Sequence, residues 1–352
     1  AVMEVKALKF GGLTAKRPIV QGGMGVGVSL SSLAGNVAKC GGVGTISGVH
    51  PGYREADFKE NPFRANLRAI GNELEKAKEI ANGGIIGFNF MTVMNHYEEY
   101  VKEAIAAGAD FIVSGAGLPV NLAKYAAGTR AAILPIVSSA RALKLIVKQW
   151  QRADRLPDAV VVEGPLAGGH LGYPYGHLVD GTFDTLEDSL VDVVDYVREL
   201  EEKNGVKIPV IAGGGVRNHA DMERLMALGA SGVQVGTKFV ATEECDAAPA
   251  FKQAYLRSRK EDVQLIESPV GLAARAIRNS FLEKVEKQGR IPVQRCYQCM
   301  NHCKQAETKY CISQALIDAV QGREGLVFCG ANAYEIEKLS TVEKVMQELC
   351  GE

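Results

Sequence analysis

Eight short apolar runs punctuate the chain, and the segments between them carry apolar positions at helical spacing. The runs are Pro18–Gln21, Gly42–Ile46, Ile85–Phe90, Phe111–Ser114, Ala132–Val137, Ala159–Glu163, Ile208–Ala212 and Gly232–Gly236. They are nearly continuous in apolar residues, the pattern of parallel strands covered on both faces. Ser31–Lys39, Pro62–Ala81, Tyr97–Ala107, Val120–Ala127, Ala140–Arg152, Leu186–Lys203 and Ala220–Leu228 read as the intervening helices. Eight such alternations predict a (β/α)8 TIM barrel closing near Gly236. A doubly wound open sheet is the competing arrangement, but Gly22–Gly27 lacks G-x-G-x-x-G spacing and no Walker A motif is present. Beyond the barrel, Ala247–Lys287 reads as helical with a break at Pro269-Val270-Gly271, and a last helix is expected at Ser340–Leu349. The expected division is a barrel over 1–245. A mostly helical, cysteine-rich extension over 246–352 packs on it.

Composition narrows the function classes. Of 352 residues, 47% are hydrophobic and 23% charged, an ordinary globular balance. Forty basic against forty-one acidic side chains leave a net charge of −1, which removes the electrostatic case for a nucleic-acid or anionic-membrane binder. No run of about 18 apolar residues reads as a membrane span. The N-terminal segment has no long apolar core of a signal peptide, and the expected location is the cytoplasm.

In a barrel of this kind, function collects on the loops that follow the strands. Gly213-Gly214-Gly215 follows the seventh strand, a helix opens near Asn218, and Gly236-Thr237 ends the eighth. Bare amides at these two loops suit a phosphate, with the Thr237 hydroxyl as a further donor. After the sixth strand, Glu163-Gly164-Pro165-Leu166-Ala167-Gly168-Gly169-His170 frames a histidine with glycines. His170 could donate a proton or stabilise developing negative charge. His50, His96, His177 and His219 read as ordinary solvated loop histidines.

Several segments, taken together and in order, resemble the nitronate monooxygenase family, formerly called 2-nitropropane dioxygenases. They are Pro18–Met24, Gly87-Phe88-Asn89, Ser114–Gly117, Ala167–His170, Pro209–Gly215, Val233–Phe239 and Ala274–Phe281. This family includes FMN-dependent enoyl-ACP reductases and some quinone reductases. The resemblance implies an FMN-binding barrel with the FMN phosphate on Gly213, Gly214, Gly215, Gly236 and Thr237. It places the isoalloxazine ring near Gly22, Gly23, Met24 and Asn89, with Gly168 and Gly169 close by, and makes His170 the active-site histidine. The flavin would supply redox chemistry that the protein only positions and tunes. Two features depart from better-known members: a polar insertion, Tyr173–Asp184, after the His170 loop, and the C-terminal extension.

That extension holds Cys296, Cys299, Cys303 and Cys311 in the spacing C-x2-C-x3-C-x7-C, with Cys329 further on. Four thiolates so close suit a [4Fe–4S] cluster. Zinc is the alternative, although only one C-x2-C pair is present; reduced cysteines that merely pack are the plain reading.

Three functional readings follow. The first is FMN-dependent oxidation of alkyl nitronates beside His170. The second reverses the electron flow: NAD(P)H reduces FMN, which then reduces an enoyl thioester or a quinone. Arg275 and Arg278 are its candidate contacts for an acyl carrier protein. The third is a non-catalytic redox sensor. A small-molecule substrate is expected under the first two.

Overall fold

A computed structural model describes residues 4–352 of the protein. Eight parallel strands close into a barrel: Ile19–Gln21, Val43–Ser47, Ile85–Met91, Phe111–Gly115, Ala132–Val137, Val160–Glu163, Val210–Gly213 and Gly232–Val235. The eighth pairs back onto the first, Val233 opposite Ile19, so no barrel edge is left unpaired. Each strand falls within two residues at either end of an apolar run in the sequence, and the TIM-barrel expectation is met.

Alternate side chains of a strand face opposite ways, and the packing records both faces. Val20, Val43, Ile85, Phe111, Leu134, Val161 and Ile211 fill the barrel interior. Their chain neighbours, such as Ile19, Ile86, Ile112, Val160 and Val210, pack outward with the helices. An N-terminal hairpin, Leu8–Phe10 against Leu13–Ala15, plugs the end at which the strands begin, with Phe10 set edge-on to Phe111. The opposite end, where the strands finish, is therefore the open one.

The segment after the barrel differs from its expected form. Ala247–Lys287 is not a broken helix. It is a helix over Pro249–Arg257, a hairpin of Val263–Glu267 with Ala273–Ile277, and a helix over Ser280–Gln288. Pro269-Val270-Gly271 turns a hairpin rather than interrupting a helix, and Gly271 supplies the positive φ the turn needs. The strand Ala273–Ile277 also pairs with Gly169–His170, giving a three-stranded sheet beside the barrel mouth. A helix over Ile312–Val320 follows the cysteine cluster, and a last one runs over Val342–Cys350.

The C-terminal residues lie across the mouth. Met300 bridges Met94, the Cys299 carbonyl accepts from the Asn95 amide at 2.9 Å, and Ser313 hydrogen-bonds His50 at 2.8 Å. The last helix is tied down by Arg17, which is ion-paired to Glu343 and Glu352. Among the described residues, no helix is long and apolar enough to cross a membrane.

Candidate active site

The alternation that fills the barrel interior continues into its mouth. Ser47, Asn89, Gly115, Ile136 and Glu163 each stand an even number of residues beyond an inward-facing position, and all five line one cavity of about 760 Å³. Gln234 joins them from the eighth strand. Gly213 pairs in register with both Glu163 and Gln234, and it carries no side chain to fill the gap between them.

Most residues singled out in the sequence meet at this cavity. Gly22, Gly23 and Met24 border it after the first strand, Asn89 near the end of the third, and Gly168, Gly169 and His170 after the sixth. Gly214, Gly215, Gly236 and Thr237 border it after the seventh and eighth strands, while Gly213 lies in the barrel wall behind them. Gly214 and Gly215 have φ of +104° and +82°, a backbone that side-chain-bearing residues rarely adopt. Among the described residues their amides donate to no protein acceptor. The Thr237 hydroxyl accepts from the Gly330 amide at 3.0 Å. Gly168 is required by the C-terminal segment, since a Cβ there would lie 2.7 Å from the carbonyl carbon of Cys329.

His170 is held rigidly. Its strand pairs with Ala274, its Nε2 lies 2.8 Å from the Ser268 hydroxyl, and its ring stands edge-on to Phe328. Burial disfavours the charged form and lowers its pKa to about 4, so the imidazole is neutral near pH 7. Among the described residues Nδ1 has no protein partner.

The loop that carries His170 is clamped from below by Arg275. The residue is only 7% exposed, and its guanidinium donates to the carbonyls of Pro165 at 2.9 Å and Ala167 at 2.6 Å. Arg275 therefore offers nothing to a docking protein, which corrects its candidacy as a surface contact. Arg278 is exposed but engaged with Glu283 and Glu286.

The cysteine cluster is the second correction. Cys299 lines the main cavity. Cys303 lies on a separate outer cleft of about 770 Å³. Cys311 caps its helix by accepting from the Gln314 amide, and the Cys296 sulfur accepts from the Gln298 amide. Among the described residues, no group of three or more His, Cys, Asp or Glu side chains is placed to hold a metal ion. Cys329 is buried, and burial pushes its thiol up to about 12. Neither the iron–sulfur nor the zinc expectation is supported.

Three elements of the site carried no role in the sequence reading. Ser268 and Phe328 lie 98 and 158 positions beyond His170, and no local motif marks either. Glu163 was visible, but only as the first residue of the loop that frames His170. Its inward direction follows from the position of Val161, a signal the strand pattern already contained.

The fold and the mouth geometry can be set beside known proteins. The nitronate monooxygenase family model matches residues 6–352. The chain belongs to the nitronate monooxygenase family. Probable nitronate monooxygenases of Staphylococcus saprophyticus and Staphylococcus aureus are 25% and 26% identical. These matches cover 81% and 80% of this chain, and 82% and 81% of those proteins. FabK from Thermotoga maritima superposes with a TM-score of 0.72 at 24% identity, over 96% of this chain and 92% of that one. A nitroalkane oxidase from Streptomyces ansochromogenes gives 0.65 at 20% identity, over 95% of each chain. At these identities the two structures speak for the fold. Membership of the family makes this nitronate monooxygenase relative an oxidoreductase.

Proposed function

We propose that this chain oxidises alkyl nitronates with FMN seated in the barrel mouth. One observation carries the reading: a side-chain-free wall with unengaged amides, at Gly214 and Gly215, and a neutral, fixed His170 border the same cavity. The residues fit the cofactor. A phosphate needs backbone N–H groups without side chains in the way, and Gly214 and Gly215 offer them. Gly22, Gly23 and Met24, on the neighbouring first-strand loop, leave room for a flat ring. FMN, when bound, supplies the electron acceptor for the oxidation.

The chain's own residues then bind and orient the substrate. A nitronate carries negative charge on its oxygens, and a neutral imidazole can donate to them without a counter-charge. In the tautomer whose Nε2 accepts from the Ser268 hydroxyl, the ring proton sits on Nδ1, the nitrogen that has no protein partner among the described residues. Residues 246–352 act as a roof for the barrel at 1–245: Met300, Ile312, Leu326 and Phe328 close the cavity with apolar surface and keep water from the reacting atoms. Oxygen uptake with ethyl nitronate tests the reading. His170→Ala should lower it by about 10²- to 10⁴-fold, the span of a positioned proton-handling group, and uptake equal to that of the wild type would remove His170 from the chemistry.

A second reading is favoured by the depth of the apolar roof. NAD(P)H would reduce FMN, and an enoyl thioester, carried on an acyl carrier protein, or a quinone would lie under Ile312, Leu316 and Leu326. Bleaching of bound flavin by NADH or NADPH separates it from the first.

A further inference from the structure

The helix Ile312–Val320 brings Ile312, Ser313 and Leu316 to the barrel mouth, since residues three and four apart share a helix face. Ile312 and Leu316 pack with Leu326 and Met300 in one apolar cluster that borders the cavity. Ser313 is 2% exposed, a hydroxyl set among these apolar side chains.

The direction of its hydrogen bonds is fixed from behind. The side-chain carbonyl of Asn66 accepts from the Gly52 amide at 3.0 Å, so the NH2 group is the one that faces His50 Nδ1, at 3.1 Å. Nδ1 must then accept, and the ring proton lies on Nε2. His50 is buried rather than solvated as its loop position suggested. Burial lowers its pKa to about 4, so the ring is neutral near pH 7. Nε2 therefore donates to Ser313 Oγ, at 2.8 Å. A ring that donates to Ser313 cannot take its proton, so Ser313 is not an activated nucleophile. Its hydroxyl has accepted one bond and keeps one proton to donate. Among the described residues no oxygen or nitrogen receives that proton. Its neighbour is the Cys299 thiol, a weak acceptor that borders the same cavity.

We propose that the Ser313 hydroxyl, aimed by Asn66 and His50, recognises a neutral carbonyl oxygen on the chain of the nitronate substrate. A bare alkyl chain beside Ile312, Leu316 and Leu326 would leave this buried donor without an acceptor, which is costly. A carboxylate would lie there without a counter-charge. Arg217 and Lys238 follow the seventh and eighth strands and are paired with Asp221, Glu335 and Glu348, whereas His50 follows the second strand. Lys338 stands two residues before Ser340, which bridges Thr242 beyond the eighth strand. A carbonyl oxygen supplies the acceptor and brings no charge. Ser313 selects the substrate, and His50 and Asn66 are positioning residues behind it. This inference rests on the nitronate reading and narrows its substrate class to nitronates that carry a carbonyl group.

The test compares the FMN-loaded wild type with Ser313→Ala in oxygen uptake. The substrates are pentyl nitronate and the terminal nitronates of methyl nitropropyl ketone and methyl nitrobutyl ketone. Ser313→Ala leaves a buried carbonyl without a donor, so kcat/KM for at least one keto nitronate should fall by about 5- to 100-fold. That for pentyl nitronate should change by less than about 2-fold. Ser313→Thr keeps the hydroxyl and should restore part of the loss, which a merely structural role would not predict for one substrate alone. Binding of methyl hexyl ketone, which carries no nitro group and is not turned over, is measured by calorimetry on the same proteins. It should weaken by about 5-fold or more in Ser313→Ala. A parallel fall with all three nitronates, or no fall with either keto nitronate, would overturn the proposal and leave the oxidase reading standing. Absence of uptake by the wild type with every nitronate would overturn the oxidase reading. Weakened ketone binding in Ser313→Ala would then keep the carbonyl site, and unchanged binding would remove it as well.

Discussion

Nε2 of His170 lies 2.8 Å from Oγ of Ser268, a residue 98 positions later on the turn of the Val263–Ile277 hairpin. Two segments distant in sequence thus set one imidazole's orientation. The same hairpin pairs its second strand with Gly169–His170, so the ring is fixed by main chain and side chain together. Ser268→Ala keeps the pairing and removes only the hydroxyl. A single neutral hydrogen bond contributes about 0.5–1.5 kcal/mol, so nitronate turnover should fall by about 2- to 10-fold, well short of the loss in His170→Ala. A loss as large as that of His170→Ala would mean that the hydroxyl itself takes part in the chemistry.

Arg275 should matter to stability as much as to activity. Its guanidinium satisfies two buried carbonyls of the His170 loop, and Arg275→Met would leave both without a donor. Relief from burying the charge offsets part of that loss, so denaturant unfolding should show a net cost of about 1–3 kcal/mol. Turnover should fall as well, because the loop is then free to drift. An unfolding midpoint unchanged by the substitution would show that the clamp is dispensable.

The side-chain-free wall can be tested by filling it. At Gly215, φ is +82° and a Cβ would stand 3.0 Å from the Leu166 Cβ, so Gly215→Ala combines backbone strain with a tight contact. Strain of about 1–2 kcal/mol falls on the amides proposed to hold the phosphate. FMN affinity, followed by the quenching of flavin fluorescence, should weaken by at least about 10-fold. Gly181→Ala, at a helix end away from the cavity with φ +70°, carries similar strain and should leave FMN affinity alone.

The buried carboxyl of Glu163 has a signature in stability. Its folded-state pKa, about 7, stands above its ordinary value of 4.5. The folded protein therefore holds this proton more tightly than the unfolded chain does. That contribution is fully present below about pH 4.5 and is lost as pH rises through 7. Glu163→Gln carries no such dependence, so relative to the wild type it should gain about 1–3 kcal/mol between pH 5 and pH 8. Parallel unfolding curves for the two proteins across that range would place the carboxyl in water instead.

Much of this was legible in the chain. Runs such as Ile85–Met91 and Ala132–Val137 are apolar on both faces, which only a covered parallel strand requires, and the glycines that punctuate them mark the mouth loops. Gly213, Gly214, Gly215 and His170 could be picked out because each loop follows directly on its strand. Other parts were hidden for definite reasons. Val263-Gln264-Leu265-Ile266-Glu267 is short and half exposed, and only its pairing with Ala273–Ile277 makes it a strand. The cysteine spacing pointed to a metal, but spacing says nothing of direction: Cys303 is exposed on an outer cleft while Cys311 caps a helix. Arg275 looked like surface because arginine usually is. Its burial follows from the strand it sits on, and that strand was not recognised.

The central claim is that the mouth of this barrel holds FMN and passes to it the electrons of a nitronate. Its most direct test is the visible spectrum of the purified protein under anaerobic conditions, recorded before and after addition of ethyl nitronate, with NADH and NADPH as separate additions. The expected result is a flavin spectrum that bleaches with the nitronate, recovers on admission of air, and does not respond to either nicotinamide. A protein that binds no flavin, or one whose flavin bleaches with NADH or NADPH and stays unmoved by the nitronate, would contradict it.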